Sequence, residues 1–340
     1  MKQAVMTAPG KIEFCQIEKP VPALKEVLIQ IQRIGVCGSD IHVYHGLHPY
    51  TGYPVVQGHE VSGTIAAVGG EVSGFAVGDA VVFMPQVTCG ECYPCRHGMY
   101  HICDKLKVMG FQTDGAAQEY FAIRAEMVLK LPPTISLDQG AMIEPVSVAV
   151  HALRRAGDVK GKKVLVLGAG TIGNLVAQSA RAMGAETVMI TDISDYKLQM
   201  ARKVGLAHTM NCNQCDLEGA ILNTFGPDKA DWILECVGAQ DTITQAVSFA
   251  RKGSTIVVVG VFGKKPVVDL GLVQDRELNL IGTLMYQKTD YERAIELVAG
   301  GLIQLDPLIT HRFPFDQYLS AYQTIEASGG RYMKVMVELS

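Results

Sequence analysis

The sequence of 340 residues has a single tryptophan and no run of basic residues; 30 Lys and Arg stand against 34 Asp and Glu, a net charge of −4. Cations scattered in ones and twos over a slightly acidic chain exclude the electrostatic footprint of a nucleic-acid partner. Long apolar runs are also missing. "KVLVLGAG" and "STIVVVGVFG" fall far short of the ~20 residues a membrane-spanning helix needs. The opening "MKQAVMTAPGKIEF" lacks the apolar segment and cleavage site of a signal peptide, so a cytoplasmic protein is expected. No internal repeat or low-complexity segment is visible. What remains, 48% hydrophobic and 19% charged residues, describes a globular chain with a sizeable core, long enough for two domains.

The nine cysteines are odd in number and clustered, which argues against a disulfide framework and for metal ligation. Cys89, Cys92, Cys95 and Cys103 form C-x₂-C-x₂-C-x₇-C. Four thiolates at that spacing suit one tetrahedral Zn²⁺ with no position left for substrate. An iron–sulfur cluster is the rival reading. "CNQC" (212–215) repeats the C-x₂-C spacing without partners and reads as chance.

Along the chain the pattern changes near residue 150. Before it, short apolar runs bounded by Gly and Pro ("EVLIQIQRIG", "EVSGTIAAVGG", "GDAVVFMP", "AAQEYFAIR") predict a β-rich barrel or sandwich. After it, buried strands ("KKVLVLGAG", "TVMITD", "ADWILECVG", "STIVVVGVF") alternate with helical segments, predicting an α/β doubly wound parallel sheet. The end returns to mixed character. The expected organisation is a β-rich domain over 1–149 with a cysteine lobe at about 86–106, an inserted dinucleotide-binding domain over 150–285, and completion of the first domain by 286–340.

"GAGTIG" (168–173) matches G-x-G-x-x-G and has the strand-before, helix-after context that the motif requires. Gly168 permits the tight turn, Gly170 lets the backbone approach a pyrophosphate, and Gly173 allows helix and strand to pack closely. Asp192 ends the next strand, where a carboxylate can bind both adenosine ribose hydroxyls and repel a 2′-phosphate. The following "ISDYK" has no arginine to receive such a phosphate, so NAD is expected over NADP.

A second set of ligand types is dispersed. "GVCGSDIH" holds Cys37, Ser39, Asp40 and His42; "GHEVSG" holds His59 and Glu60. A zinc that works as a Lewis acid needs three protein ligands and one open position. Cys37 and His59 supply two. No cysteine lies between Cys103 and Cys212, so Glu60 and Glu144 (in "MIEPVSVAVH") are the candidates for the third. By spacing alone, a buried cysteine beside a satisfied core histidine explains the cluster equally well.

Taken together, these motifs resemble the zinc-dependent medium-chain dehydrogenase/reductase superfamily over the whole chain. "GHEVSGTIAAVGGEV" fits its G-H-E-x₂-G-x₅-G-x₂-V pattern, and "CGSDIH", the four-cysteine lobe and "GAGTIG" occur in the family's order. "IEP" around Glu144 is similar to the polyol (sorbitol/iditol) and L-threonine dehydrogenase branch. The resemblance implies a GroES-like catalytic domain with an inserted Rossmann domain, two zinc ions per chain, NAD, and oxidation of a secondary alcohol to a ketone. It implies that Cys37, His59 and Glu60 bind the catalytic zinc with Glu144 close by, that Ser39 and His42 relay the proton, and that the four-cysteine lobe is structural. Ile172, Asp192 and Lys197 align with cofactor contacts, and Val259, Gly260, Val261, Thr283 and Leu284 with the nicotinamide surroundings. Sorbitol dehydrogenases tend to carry Arg-Tyr where this chain has Met285 and Tyr286, so L-threonine, sugar acids and vicinal diols stand beside polyols as substrates. A homotetramer is the assembly the resemblance implies. A catalytically silent NAD-binding protein is the non-enzyme alternative, but it predicts broken ligands. His45 and His48 are read as exposed-loop residues with a possible substrate role.

Overall fold

The computed structural model describes residues 1–339. The chain divides into two compact units: Met1–Glu144 with the chain from Ile309 onward, and Pro145–Leu308.

The first unit is organised on one long strand, Glu26–Val36, which pairs with Glu60–Val68 on one edge. On the other edge it takes two partners in succession. Tyr120–Arg124 lies along its first half, and Lys334–Glu338, from the returning chain, lies along its second. Ile309–Pro314 extends the sheet beyond Lys334–Glu338, and Ala80–Phe83 and Val128–Lys130 extend it beyond Glu60–Val68. Within the long strand the core residues change parity: Val27, Ile29 and Ile31 are followed by Ile34 and Val36. A strand alternates faces with period two, so a continuous register would put Ile34 on the opposite face from Ile31. The register slips between Ile31 and Arg33, and that irregularity reverses the alternation. It also offsets an opposite slip between Leu28 and Ile29, so the pairing returns to its starting register and Gly35 stands opposite Glu60.

The second unit is a six-stranded sheet, all parallel, in the order His208–Asn211, Thr187–Asp192, Lys163–Leu167, Trp232–Glu235, Thr255–Val258, Asn279–Gly282. Numbered along the chain this is 3-2-1-4-5-6, the doubly wound arrangement whose order reverses beside its first strand. Helices cover both faces, which is why Val164, Leu165 and Val166 are buried in succession rather than alternately. Strands 208–211 and 279–282 were not legible in the sequence. "HTMN" and "NLIG" are short edge strands, largely unburied, without a hydrophobic run.

The chain returns to the first unit at Ile309, not at 286 as the sequence reading placed it. Side-chain pairing keeps the helix Lys288–Ala299 with the second unit. Its Asp290 carboxylate, 1% exposed, sits 2.8 Å from His151 Nδ1 and 3.0 Å from Arg154 Nε. Tyr286 is wholly buried with its ring edge-on to Tyr291. The other boundary falls at Glu144 rather than 149, inside the helix Ile143–Ala156.

Candidate active site

Two groups of metal-ligating side chains come together among the described residues, and they are built in opposite ways. The first is the cysteine lobe. The ligand atoms of Cys89, Cys92, Cys95 and Cys103 lie within 4.8 Å of one another. The Cys92–Cys103 and Cys103–Cys89 sulfur separations are 3.8 and 3.5 Å. Four sulfurs at ~2.3 Å from a tetrahedral zinc would stand about 3.8 Å apart, so the cage has the right size. Backbone N–H groups point at it: Cys92 N–H at Cys89 Sγ (3.4 Å), and Cys89 and Lys105 N–H at Cys103 Sγ (3.4 and 3.3 Å). Such donors favour the thiolate, and those of Glu91 and Cys92 pull the Cys89 thiol down to about 6. All four sulfurs are needed to close the cage, which leaves no open position on an ion held there. Cys212 and Cys215 join no such group among the described residues.

The second group is Cys37, His59 and Glu60, whose ligand atoms also lie within 4.8 Å of one another. Here the ligands come from a strand pair and a short helix. Glu60 opens the strand Glu60–Val68, His59 precedes it, and Cys37 follows Glu26–Val36 as the residue capping the helix Gly38–Tyr44. Asp40, in the first turn of that helix, is 1% exposed and accepts a hydrogen bond from Cys37 N–H (2.9 Å) and from Gln57 Nε2 (3.0 Å). Tyr322 donates its hydroxyl to Gln57 Oε1 (2.9 Å), completing a buried chain behind the ligands. Asp40 Oδ1 stands 3.5 Å from His59 Nδ1, an electrostatic contact that fixes the ring without a full hydrogen bond.

Glu60 is 1% exposed and is gripped by Lys334, itself 4% exposed, whose Nζ lies 2.7 and 2.5 Å from the two carboxylate oxygens and 3.1 Å from Val36 O. Gly35 makes room for this carboxylate, since a Cβ there would stand 2.3 Å from Glu60 Oε2. Glu144 is buried and acts on His59 and Lys334 through its charge, but it is not a member of the ligand cluster. Burial lowers the basicity of the His59 imidazole, yet Asp40, the Cys37 thiol and Glu144 together hold it up to about 10. A buried imidazole among so many anionic groups calls for a cation at its free edge, either a proton or a metal ion. A thiol, an imidazole and a carboxylate oxygen fit zinc with a fourth position open. Ser39 is half-buried and His42 exposed on the same short helix.

In the second unit the glycine turn meets each demand of the dinucleotide motif. Gly168 has φ +102, and a Cβ on Gly173 would stand 1.8 Å from Gly168 O, so both must be glycine. A Cβ on Gly170 would meet nothing within 4 Å, which leaves open space over the turn. Gly170 caps the helix Thr171–Ala182 with no side-chain hydrogen bond, leaving N–H groups for an anion. The Asp192 carboxylate is held at the lip of this turn by Ala169 N–H (2.7 Å) and Ser194 N–H (2.8 Å). Val259 and Gly260 follow the fifth strand, and both donate to Glu235 O at 2.8 Å. Val261 is 78% and Leu284 55% exposed, with Ile172, Lys197 and Thr283 partly covered.

Sequence reading missed Lys334, Gln57, Tyr322 and Phe111. Lys334 carried one signal, a lysine inside the apolar strand "YMKVMVEL". A charge in that setting is either paired or functional.

Comparison with known proteins follows the same division. Residues 23–133 match the alcohol dehydrogenase GroES-like domain, and residues 171–300 match the zinc-binding dehydrogenase domain. The 2-dehydro-3-deoxy-L-galactonate 5-dehydrogenase of Pseudoalteromonas atlantica is 37% identical over 93% of this chain and 92% of its own. Sorbitol dehydrogenase 1 of Saccharomyces cerevisiae is 36% identical over 94% and 93%. The crystal structure of galactitol-1-phosphate dehydrogenase from Escherichia coli superposes with a TM-score of 0.92 at 31% identity, covering 99% of this chain and all of that one (100%). No helix among the described residues is long and apolar enough to cross a membrane. The chain belongs to the zinc-dependent medium-chain dehydrogenases, in their polyol branch, and is an oxidoreductase acting on CH–OH groups.

Proposed function

We propose that the protein oxidises a secondary alcohol of a polyol or sugar acid to the ketone, using NAD⁺. The observation that carries this reading is the convergence of Cys37, His59 and Glu60, backed by Asp40, beside a helix that also presents Ser39 and His42. Zinc held by these three residues would supply a Lewis acid that lowers the pKa of the substrate hydroxyl, and NAD⁺ held at the glycine turn would supply the acceptor for the hydride of the carbinol carbon.

The chain's own groups do the rest. Asp40 keeps the His59 ring in place, and Lys334 restrains the Glu60 carboxylate. Glu144 adds negative charge behind the ligands. The Ser39 hydroxyl takes the proton that the substrate hydroxyl loses, and His42, which is exposed, passes it on to solvent. Gly168, Gly170 and Gly173 admit the pyrophosphate; Asp192 receives the adenosine ribose and repels a 2′-phosphate, with Ile172 and Lys197 beside it. Val259, Gly260, Val261, Thr283 and Leu284 line the nicotinamide. The four-cysteine lobe holds a second, structural zinc. The same reading has the enzyme working in the cytoplasm as a homo-oligomer, with four copies expected.

NADH formation by the zinc-loaded protein is the test, run with sorbitol, sugar acids, L-threonine and butane-2,3-diol before and after chelation. Chelator-sensitive turnover of a polyol or sugar acid supports the reading. Preference for L-threonine or the diol would move the substrate class. Silence with one zinc per chain would overturn it.

A further inference from the structure

The dehydrogenase reading leaves one polar side chain beside the ligand cluster without a task. His48 lies on the segment following the helix Gly38–Tyr44, and its ring stacks on Phe111, with centroids 4.9 Å apart and planes inclined by 29°. The same Phe111 ring lies 4.9 Å from the ring of His59. Both imidazoles, His48 and the cluster's His59, therefore pack against one aromatic side chain. Unlike its neighbours Leu47 and Tyr50, 66% and 77% exposed, His48 is half-buried. His45 turns away instead, with its Nε2 2.6 Å from Glu326 Oε1.

The segment is fastened where it meets Phe111. Gln112 Nε2 donates to Tyr50 O (3.2 Å), while Gln112 Oε1 accepts from Val108 N–H (2.9 Å). His48 Nδ1 lies 2.7 Å from Thr51 Oγ1. That contact uses one ring nitrogen and fixes the orientation of the other. In the neutral tautomer that accepts the Thr51 hydroxyl at Nδ1, the ring proton resides on Nε2. Nε2 makes no hydrogen bond within the described residues.

We propose that His48 is a specificity-determining residue: its Nε2–H donates a hydrogen bond to an oxygen on the substrate carbon next to the reacting carbinol. The ligand chemistry is an acceptor oxygen, hydroxyl or carboxylate, one carbon from the oxygen that the zinc would take. Phe111 supplies an apolar wall that both imidazoles touch, so a substrate engages beside it with its carbinol at the ligand cluster and its neighbouring oxygen at His48. A plain secondary alcohol satisfies only the first and leaves the imidazole N–H without its partner. The discrimination comes from the hydrogen bond that the adjacent oxygen accepts and that a plain alcohol, leaving Nε2–H to water, does not replace. Burial, and then the neighbouring His42 and His59, lower the basicity of His48 and keep it a neutral donor.

This inference rests on the dehydrogenase reading, and the experiment separates the two. Butane-2,3-diol and butan-2-ol differ only in the adjacent hydroxyl; sorbitol and a sugar acid such as L-idonate extend the pair. The quantity to measure is the ratio of kcat/KM for the diol, polyol or acid to that for butan-2-ol. His48→Phe keeps the ring on Phe111 and removes the donor; His48→Gln returns an N–H. The expected result is a ratio that falls about tenfold or more in His48→Phe, chiefly through KM, and partly recovers in His48→Gln. If His48→Phe leaves the ratio unchanged, or if wild type shows no preference for the adjacent oxygen, the proposal fails while the dehydrogenase reading stands. If wild type oxidises none of these alcohols with two zinc ions bound, the substrate reading fails and takes the proposal with it.

Discussion

The two ligand clusters use similar chemistry on different scaffolds. The four-cysteine lobe is contiguous in sequence and largely at the surface, with Cys89, Cys92 and Cys95 all half-buried. It surrounds its ion with sulfur and needs little beyond its own backbone N–H groups. The Cys37–His59–Glu60 cluster is assembled from separate elements, lies almost wholly inside the first unit, and depends on a shell of further buried groups: Asp40, Gln57, Tyr322 and Lys334. A local chelate closes its own coordination sphere. A dispersed one can leave a position open, because the surrounding fold holds each ligand in place without a fourth.

The largest effect should come from the dispersed cluster. His59→Ala or Cys37→Ser is expected to lower turnover by several decades while NADH still binds, as measured by quenching of protein fluorescence or by calorimetry. Normal activity in either variant would erase the functional distinction between the clusters.

Next comes Lys334→Met, which leaves a buried carboxylate without its partner. Breaking such a pair costs about 3–5 kcal/mol, and the loss should be greater in chelated protein than in zinc-loaded protein, where the metal compensates Glu60. An equal fall in both states, followed by thermal unfolding, would show that Glu60 does not ligate.

A smaller and more local result is expected of Cys92→Ser. Zinc content should drop from two to one per chain, and the loop around 86–106 should become open to proteases. Turnover per chain should fall far less than in His59→Ala. Loss of both metals would mean that the clusters are not independent.

The mildest test concerns a half-buried counterpart of the Lys334–Glu60 pair. Asp138 receives Arg33 Nε at 2.5 Å and Arg312 Nη2 at 2.9 Å, so it too ties the returning chain to the first strands. Burial raises its pKa, but the two guanidinium groups outweigh that and hold it below the usual carboxylate range. A depressed carboxylate contributes stability that is present above its unfolded pKa of about 3.9 and is lost as pH falls through the lower folded value. Asp138→Asn should therefore lower Tm by a few degrees at neutral pH, and the gap from wild type should close below pH about 4. A gap that persists in acid would assign the effect to packing.

Much of the site could be read before any coordinates, because its parts are local demands on the backbone. GAGTIG must be glycine where φ is positive or where Gly173 meets Gly168 O, and four cysteines at chelating spacing announce themselves. The long strands and amphipathic helices were legible for the same reason, since periodicity is a property of neighbours in sequence. The third ligand was not legible in this way. Glu60 and Glu144 look alike along the chain, and only the folded structure brings Glu60, across from Gly35, into one cluster with Cys37 and His59 and leaves Glu144 outside it.

By itself, then, the sequence determined the two-part architecture, the dinucleotide turn and the identity of the ligand types. Only the tertiary structure decided that Lys334 closes on Glu60, that Phe111 packs against both His48 and His59, and that the chain returns at Ile309. Each of these joins residues far apart in the chain. Such contacts are selected by burial and charge pairing in the folded state, and they leave no periodic trace in the order of the amino acids.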